Sequence, residues 1–391
     1  MLNKASYYLL LLFAATSVHS IAAANVTLFL GLSLGLIRYV TQPVTVKLDR
    51  RLLYLLGLFF ASLLISVAFS YNKVNSVKEY FSLASRVIPI FLPLLVIQTK
   101  RQVVQLVSVL ICSLAIGDLV AIWQRLQWGE RATGMLGSPI TFAGYVELVL
   151  PVILVWLTAE TGRFIYSPKI KLVLIISLFL SILALLATGT RGAWLAVATS
   201  IIVNLMYSKL SKRKLYVTAI LVTLAFSVFV VSPVMQNRLH SIADLDDPSN
   251  FGRLVLWQSA WEMFKDHPFT GVGLRNFNQM YNEHYPQPGA EITEHTQAHN
   301  TVLHLLAETG AVSTLAFISL FGYIILINLR SGDEWGLIAA LITINFVVHG
   351  MFDYTFRLSV VSRLYWVLLG LTYAARQVQW EKQKNETYTT Q

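Results

Sequence analysis

The 391 residues are 55% hydrophobic and only 13% charged, with a mean hydropathy of +0.61. Soluble domains run at about 45–50% apolar and about 25% charged, so the numbers exclude a soluble globular enzyme and a disordered chain and indicate a polytopic membrane protein. The net charge of +10 follows the loops instead of forming a nucleic-acid patch, and the single cysteine, Cys112, lies in an apolar run, which removes disulfides and cysteine-ligated metals.

Apolar runs predict spans near 5–19, 23–40, 52–70, 80–98, 102–124, 140–158, 170–188, 191–207, 215–232, 301–329, 335–352 and 356–375. Lys4, Tyr7–Ala15 and Ala22–Ala24 could pass for a secretory leader, but the next apolar run begins at Val26, and two helices broken near His19-Ser20 fit better. Lys4, Arg38, Lys47, Arg50, Arg51, Lys100, Arg101, Arg163, Lys169, Lys171, Lys209, Lys212, Arg213, Lys214, Arg330, Arg376, Lys382 and Lys384 all fall on one side if every run crosses. The positive-inside rule makes that side, and both termini, cytoplasmic. Arg86, Asp118 and Glu147 fall within spans and should face the protein interior. The expected organisation is 1–232 as the first nine spans, 233–299 as one large loop outside the cytoplasm, and 300–391 as the last three spans and a cytoplasmic tail.

The large loop holds eight acidic residues, four basic residues and five of the eight histidines. Asp247-Pro248-Ser249-Asn250 supplies cap and turn chemistry. Leu254, Trp257, Trp261 and Phe264 then recur at helical spacing before Pro268, which predicts an amphipathic helix over 251–266 lying on the membrane or on the bundle.

The residues that suit chemistry gather toward the outer face. Arg191, in Gly189-Thr190-Arg191-Gly192, sits between two spans, where a guanidinium must be paired or wet. Arg253 opens the loop helix, and Arg275 lies in Gly271-Val272-Gly273-Leu274-Arg275-Asn276. Together the three form a candidate guanidinium cluster, which clamps phosphate oxygens bidentately. His299-Asn300 begins the tenth span, and a histidine at the N-terminal end of a helix suits proton acceptance, because the dipole favours its neutral form. Asp353 and Arg357, at the last outer turn, are expected to pair with each other or with the arginines. A His295/His299 metal pair lacks a third ligand at a recognisable spacing, and Asp244-Leu245-Asp246-Asp247 reads first as a helix cap. No metal and no cofactor is expected. Walker, nucleophile-elbow and dinucleotide motifs are absent, so ATP-driven transport and serine hydrolysis are not indicated.

Four segments then resemble the O-antigen ligase family, within the wider group that includes O-antigen polymerases and protein O-oligosaccharyltransferases. Thr190–Ala196 resembles the family's arginine-bearing start of a span, and Gly252-Arg253-Leu254 its second arginine segment. His299-Asn300 followed after nine residues by Gly310 resembles the ligase histidine motif, and Arg131-Ala132-Thr133-Gly134 through Pro139 to Pro151 resembles an upstream segment. Three past the glycine the ligase form commonly has Gly, Thr or Tyr, where this chain has Ser313. The Arg-x10-Gly motifs of some polymerases do not follow Arg191 or Arg253.

The resemblance implies an all-α polytopic protein of about twelve transmembrane helices with one large periplasmic loop, similar to type C glycosyltransferases. It also implies an inner-membrane enzyme whose site faces the periplasm. The donor would be a glycan on undecaprenyl pyrophosphate and the acceptor lipid A–core, with inversion and without a metal. His299, Arg191 and Arg253 would be catalytic; Arg275, Asn300, Asp353 and Arg357 would assist in binding. The alternatives are a polymerase with a lipid-linked acceptor, transfer to a protein hydroxyl, and a transporter using the charges within the spans.

Overall fold

A computed structural model describes the chain except at residues 44, 45, 47, 160–167, 208–210, 232–235, 237–247, 288–296, 390 and 391. The described residues are helical, with no strand among them. In chain order the helices are α1 (Leu2–Thr16), α2 (Ile21–Thr41), α3 (Arg50–Ala68), α4 (Lys73–Val96, with a 3-10 turn at Ile88–Ile90), α5 (Lys100–Trp128), α6 (Pro139–Thr158) and α7 (Pro168–Ala187). There follow α8 (Arg191–Tyr207), α9 (Lys212–Val231), α10 (Pro248–Asp266), α11 (Phe277–Glu283), α12 (Thr301–Leu329), α13 (Glu334–Gly350) and α14 (Ser359–Thr389).

A helix lies under each of the twelve apolar runs. Seven of them, α2 to α7 and α12, are long and apolar enough to cross a membrane, and α13 is apolar but shorter. Local chemistry explains where they begin. Ser20, Asp49, Asn72, Thr99, Ser138, Asn300 and Asp333 each accept a backbone N–H of the first turn. Such caps stabilise a helix start by about 1 kcal/mol. Thr99 and Gln102 form a complete capping box, and Pro139 occupies the first turn of α6, where its missing N–H costs nothing.

Helix α6 is the central post, with nearly every residue from Phe142 to Thr158 buried, and α7, α8, α13 and α14 pack around it. Phe317, Phe321, Phe346, Phe356, Tyr365 and Trp366 interlock edge-to-face and stacked across α12, α13, the 3-10 turn Thr355–Arg357 and α14. Large apolar side chains also cover the outside: Leu58, Leu64 and Ile65 on α3, Ile116 and Leu119 on α5, Ile202 and Met206 on α8. A soluble monomer rarely tolerates such belts, whereas lipid is their natural solvent. Arg86, Asp118 and Glu147 are buried in the bundle, as their positions within spans require. Arg86 is held by Glu79 at 2.9 Å, and Asp118 accepts from Ser181 at 2.6 Å.

The loop helix forms as expected, but its buried face differs from the predicted stripe. Val255, Ser259, Ala260 and Met263 turn inward, while Leu254 and Trp261 are exposed. The small residues Ser259 and Ala260 let α10 approach α12, and Met263, Ala298 and Ala307 join Phe277 and Met280 in a second apolar core. The strap that follows α10 is stitched into a break in α12. Gly310 has φ 71° and ψ −177° inside the helix. The Ala307 and Glu308 carbonyls released there accept N–H bonds from Val272 and Gly273, both at 2.9 Å, and the Ala311 N–H donates to Pro268 O at 2.7 Å. A Cβ at Gly310 would lie 2.4 Å from the Phe269 carbonyl carbon, so the motif glycine is required by sterics as well as by its positive φ. The break therefore ties the loop to α12 just below His299.

Candidate active site

Arg191 is the first residue of α8, where the positive end of the helix disfavours a cation. It is not placed there for helix stability. Its Nη2 donates to Asn250 Oδ1 at 2.9 Å, in the first turn of α10. Arg253, one turn further along α10, converges on the same place, and so does Arg131 from the loop before α6. Arg131 is oriented by two bonds, from Nε to Thr188 O at 2.8 Å and from Nη2 to Thr190 Oγ1 at 3.1 Å. The three guanidinium groups line a polar cavity of about 40 Å³ together with Thr190, His349 and Asp353. Gly192 makes this closeness possible, since a Cβ there would sit 2.9 Å from Phe352 Cβ and 3.0 Å from His349 Cδ2.

The cavity adjoins an open groove of about 360 Å³ lined mainly by apolar surface. Leu195 and Gly192 of α8 form one wall, Leu254 and Trp257 of α10 the other, with Phe352 and the two arginines Arg191 and Arg253 at the polar end. Trp257 is fixed there by its Nε1, which donates to Ala298 O at 2.8 Å. Three cations beside an apolar trough suit an anionic headgroup carried on a hydrocarbon chain.

His299 stands at the rim. It precedes the cap residue Asn300 with φ 46°, a left-handed conformation that costs a non-glycine residue about 1–3 kcal/mol and is characteristic of functional positions. Its Nδ1 lies 3.3 Å from Asp353 Oδ1, and its side chain is 32% exposed against 4% for Asp353. Among the described residues its Nε2 has no partner. Burial raises the Asp353 carboxyl, but the hydrogen bond and charge of His299, the charge of His349 and the Tyr354 N–H at 2.7 Å outweigh it and hold the group below the usual carboxylate range. An anionic Asp353 fixes a proton on Nδ1 and leaves the lone pair on Nε2, the arrangement of a general base.

Of the two expected arrangements for Asp353 and Arg357, pairing with each other does not form, whereas Asp353 does line the arginine cavity. The segment after α13 is a turn followed by a 3-10 turn, Thr355–Arg357, so residues four apart do not share a face. Arg357 instead donates to Gln297 Oε1 at 3.5 Å. Asn300 is used structurally: its Oδ1 caps α12 at Leu303 and its Nδ2 donates to Met351 O at 3.1 Å, which locks the His299 turn to the Asp353 turn. Arg275 stands apart, exposed in the strap and lining neither the cavity nor the groove. Asp244, Asp246, Asp247 and His295 lie outside the described residues.

Two contributors were not singled out in the sequence as site residues. Arg131 is visible only as part of a motif segment. His349 sits in a continuous apolar run and reads as core. It is fully buried, with Nδ1 2.9 Å from Glu147 Oε1 in the centre of α6.

Comparison with known proteins points to one family. Residues 176–318 match the family model described as O-antigen ligase. Through this segment the chain is similar to the O-antigen ligase family. It is 28% identical over 230 residues to the teichuronic acid biosynthesis protein TuaE of Bacillus subtilis, covering 52% of this chain and 45% of that one. It is 26% identical over 165 residues to an O-antigen ligase of Salmonella typhimurium, covering 40% of each. The chain thus spans less than half the length of these two curated relatives. The family segment contains Arg191, Arg253, Arg275, His299 and Asn300, whereas Arg131, Glu147, His349 and Asp353 lie outside it. This similarity and the seven long apolar helices together indicate a multi-pass membrane protein.

Proposed function

We propose that this protein transfers a glycan from undecaprenyl pyrophosphate to a hydroxyl of lipid A–core at the periplasmic face of the inner membrane, with inversion and without a metal. The observation that carries the reading is the convergence of Arg131, Arg191 and Arg253 on one cavity, with the His299–Asp353 pair at its rim and an apolar groove alongside. The diphosphate sits among the arginines, the first isoprene units lie in the groove, and the sugar reaches toward His299. The acceptor oxygen attacks the anomeric carbon and passes its proton to His299 Nε2. The bond from that carbon to the phosphate oxygen breaks, and its electron pair stays on the diphosphate, where the arginines stabilise the growing charge. General-base help contributes about 10²–10⁴-fold. The twelve helices are read as twelve crossings in the manner of type C glycosyltransferases, with both termini cytoplasmic. Arg275 and Arg357, near the strap and the outer turn, are assigned to the glycan rather than to the diphosphate.

A second reading has its own support. The similarity to a protein named for teichuronic acid biosynthesis, which reaches over more of the chain than the similarity to the ligase, favours a polymerase in which another lipid-linked glycan is the acceptor. Purified protein incubated with undecaprenyl-pyrophosphate-linked glycan separates the two. Core-dependent capping of lipid A supports the ligase, and longer lipid-linked chains formed without core support the polymerase.

A further inference from the structure

We propose that His349, carried by Glu147, is a fourth ligand of the diphosphate and donates a hydrogen bond from Nε2 to a phosphate oxygen. The inference rests on the reading of the arginine cavity as a diphosphate site, and it extends that site to two helices outside the family segment.

The pair is sealed in the bundle. His349 is 1% exposed and Glu147 0%, and Glu147 Oε2 has no hydrogen-bond partner among the described residues. A buried pair with net charge is costly, so the pair is held net neutral. Two proton arrangements meet that requirement without leaving an unpartnered acid hydrogen on the buried Oε2. In one, an imidazolium faces a carboxylate; in the other, a protonated Glu147 donates to Nδ1 of a neutral ring. Both leave a hydrogen on Nε2. The Cδ2 side of the ring, which carries Nε2 and lies away from Glu147, is turned toward Gly192, and His349 lines the cavity with Gly192, Arg253 and Asp353. Among the described residues that Nε2 has no protein acceptor.

The surrounding donors make the same point. Arg131, Arg191, Arg253 and His349 line a cavity with a single carboxylate, Asp353, whose Oδ1 takes both the His299 contact and the Tyr354 N–H, so the lining carries an excess of positive charge. A ligand rich in acceptor oxygens satisfies that set, and a diphosphate has them. Glu147 is held in turn from below, because the Asn345 side chain donates to its carbonyl oxygen at 2.6 Å and also contacts Ser200 of α8. His349 is thereby aimed by α6 and α8 together.

The test is binding of farnesyl diphosphate, with farnesol as the control, to purified full-length protein in detergent. His349→Ala is expected to weaken farnesyl diphosphate by at least about tenfold, the usual size for one hydrogen bond to a charged group, while farnesol binding changes less than about twofold. His349→Gln, which retains an N–H donor at similar reach, should stay within about threefold of the wild type. Because His349→Ala leaves Glu147 unpaired, the unmodified protein supplies an independent readout. In ¹⁵N-histidine-labelled protein, the His349 Nε2 resonance, assigned through His349→Gln, should move on addition of farnesyl diphosphate and not of farnesol. An unmoved resonance, or equal losses for diphosphate and farnesol in the alanine variant, overturns the proposal. If the wild type itself fails to bind farnesyl diphosphate, the diphosphate reading of the cavity falls with it.

Discussion

Two histidine–carboxylate pairs lie within one turn and a half of each other at the start of α12, and they are built for opposite purposes. His304 is 2% exposed and uses both ring nitrogens, Nδ1 accepting the Ala298 N–H at 3.3 Å and Nε2 facing Glu308 at 3.4 Å. Its ring packs 4.1 Å from Tyr354 and 4.9 Å from Phe277. Glu308 spends its other oxygen on the Phe277 N–H, which fastens the strap to α12. His299, five residues earlier, has one nitrogen on Asp353 and presents the other to the rim. Both pairs contain the same groups. What distinguishes His299 from His304 is the uncommitted nitrogen, the exposure around it and the cations beside it.

The comparison is sharpened by exchanging which property each residue controls. The largest expected effect is on transfer. His299→Ala, Arg191→Ala and Arg253→Ala should each lower the transfer rate by about 10²–10⁴-fold, with the protein still inserted and its Tm nearly unchanged. Wild-type rates in any of them would remove that residue from the site. His304→Ala should show the reverse. It strands a buried Glu308, at a cost of about 3–5 kcal/mol, so thermal unfolding in detergent should drop sharply while the surviving folded fraction keeps its turnover. Gly310→Ala belongs to the same class, because φ 71° and the 2.4 Å approach to Phe269 leave no room for a Cβ. A normal melting curve for that variant would contradict the docking of the strap.

Asp353 gives a smaller, pH-dependent effect. Its carboxyl is held below the ordinary range, so the unfolded chain binds its proton more readily than the folded one. The stability it contributes is complete above the ordinary carboxylate range and is lost as pH falls through its lowered value. Asp353→Asn should therefore flatten the acid limb of the stability profile and leave stability near neutrality governed by other groups, while lowering transfer by misorienting His299. An unchanged acid limb would place the Asp353 charge elsewhere. The smallest effect is expected at Trp261, which is 48% exposed on α10. Trp261→Ala should change stability by less than about 0.5 kcal/mol. Trp257→Ala, by contrast, should weaken binding of the carrier through loss of the groove wall.

Much of the bundle was legible because lipid imposes a strong rule: backbone groups must be paired within helices, so each long apolar run is a helix, and Ser, Thr, Asp or Asn marks where it starts. Arg191, Arg253 and His299 were legible because charge and imidazole stand out against apolar sequence. What escaped was whatever depends on tertiary placement. His349 looks like core until α6 supplies Glu147. Arg131 looks like a loop cation until Thr188 and Thr190 aim it. Asp353 and Arg357 suggest an i, i+4 pair only if the turn between the last two spans were α-helical, and it is not. The stripe on α10 left membrane and bundle both open as its docking partner, because helical periodicity fixes which residues share a face, not what that face meets.

The central claim is that an exposed histidine, set beside an arginine cavity, moves glycan off a lipid diphosphate. The most direct test is reconstituted transfer with undecaprenyl-pyrophosphate-linked glycan and lipid A–core, in excess chelator, comparing wild type with His299→Ala and His304→Ala. The account predicts core-dependent product from the wild type, product from folded His304→Ala, and none above background from His299→Ala. Equal activity in the two histidine variants, or loss in His304→Ala alone, would contradict it.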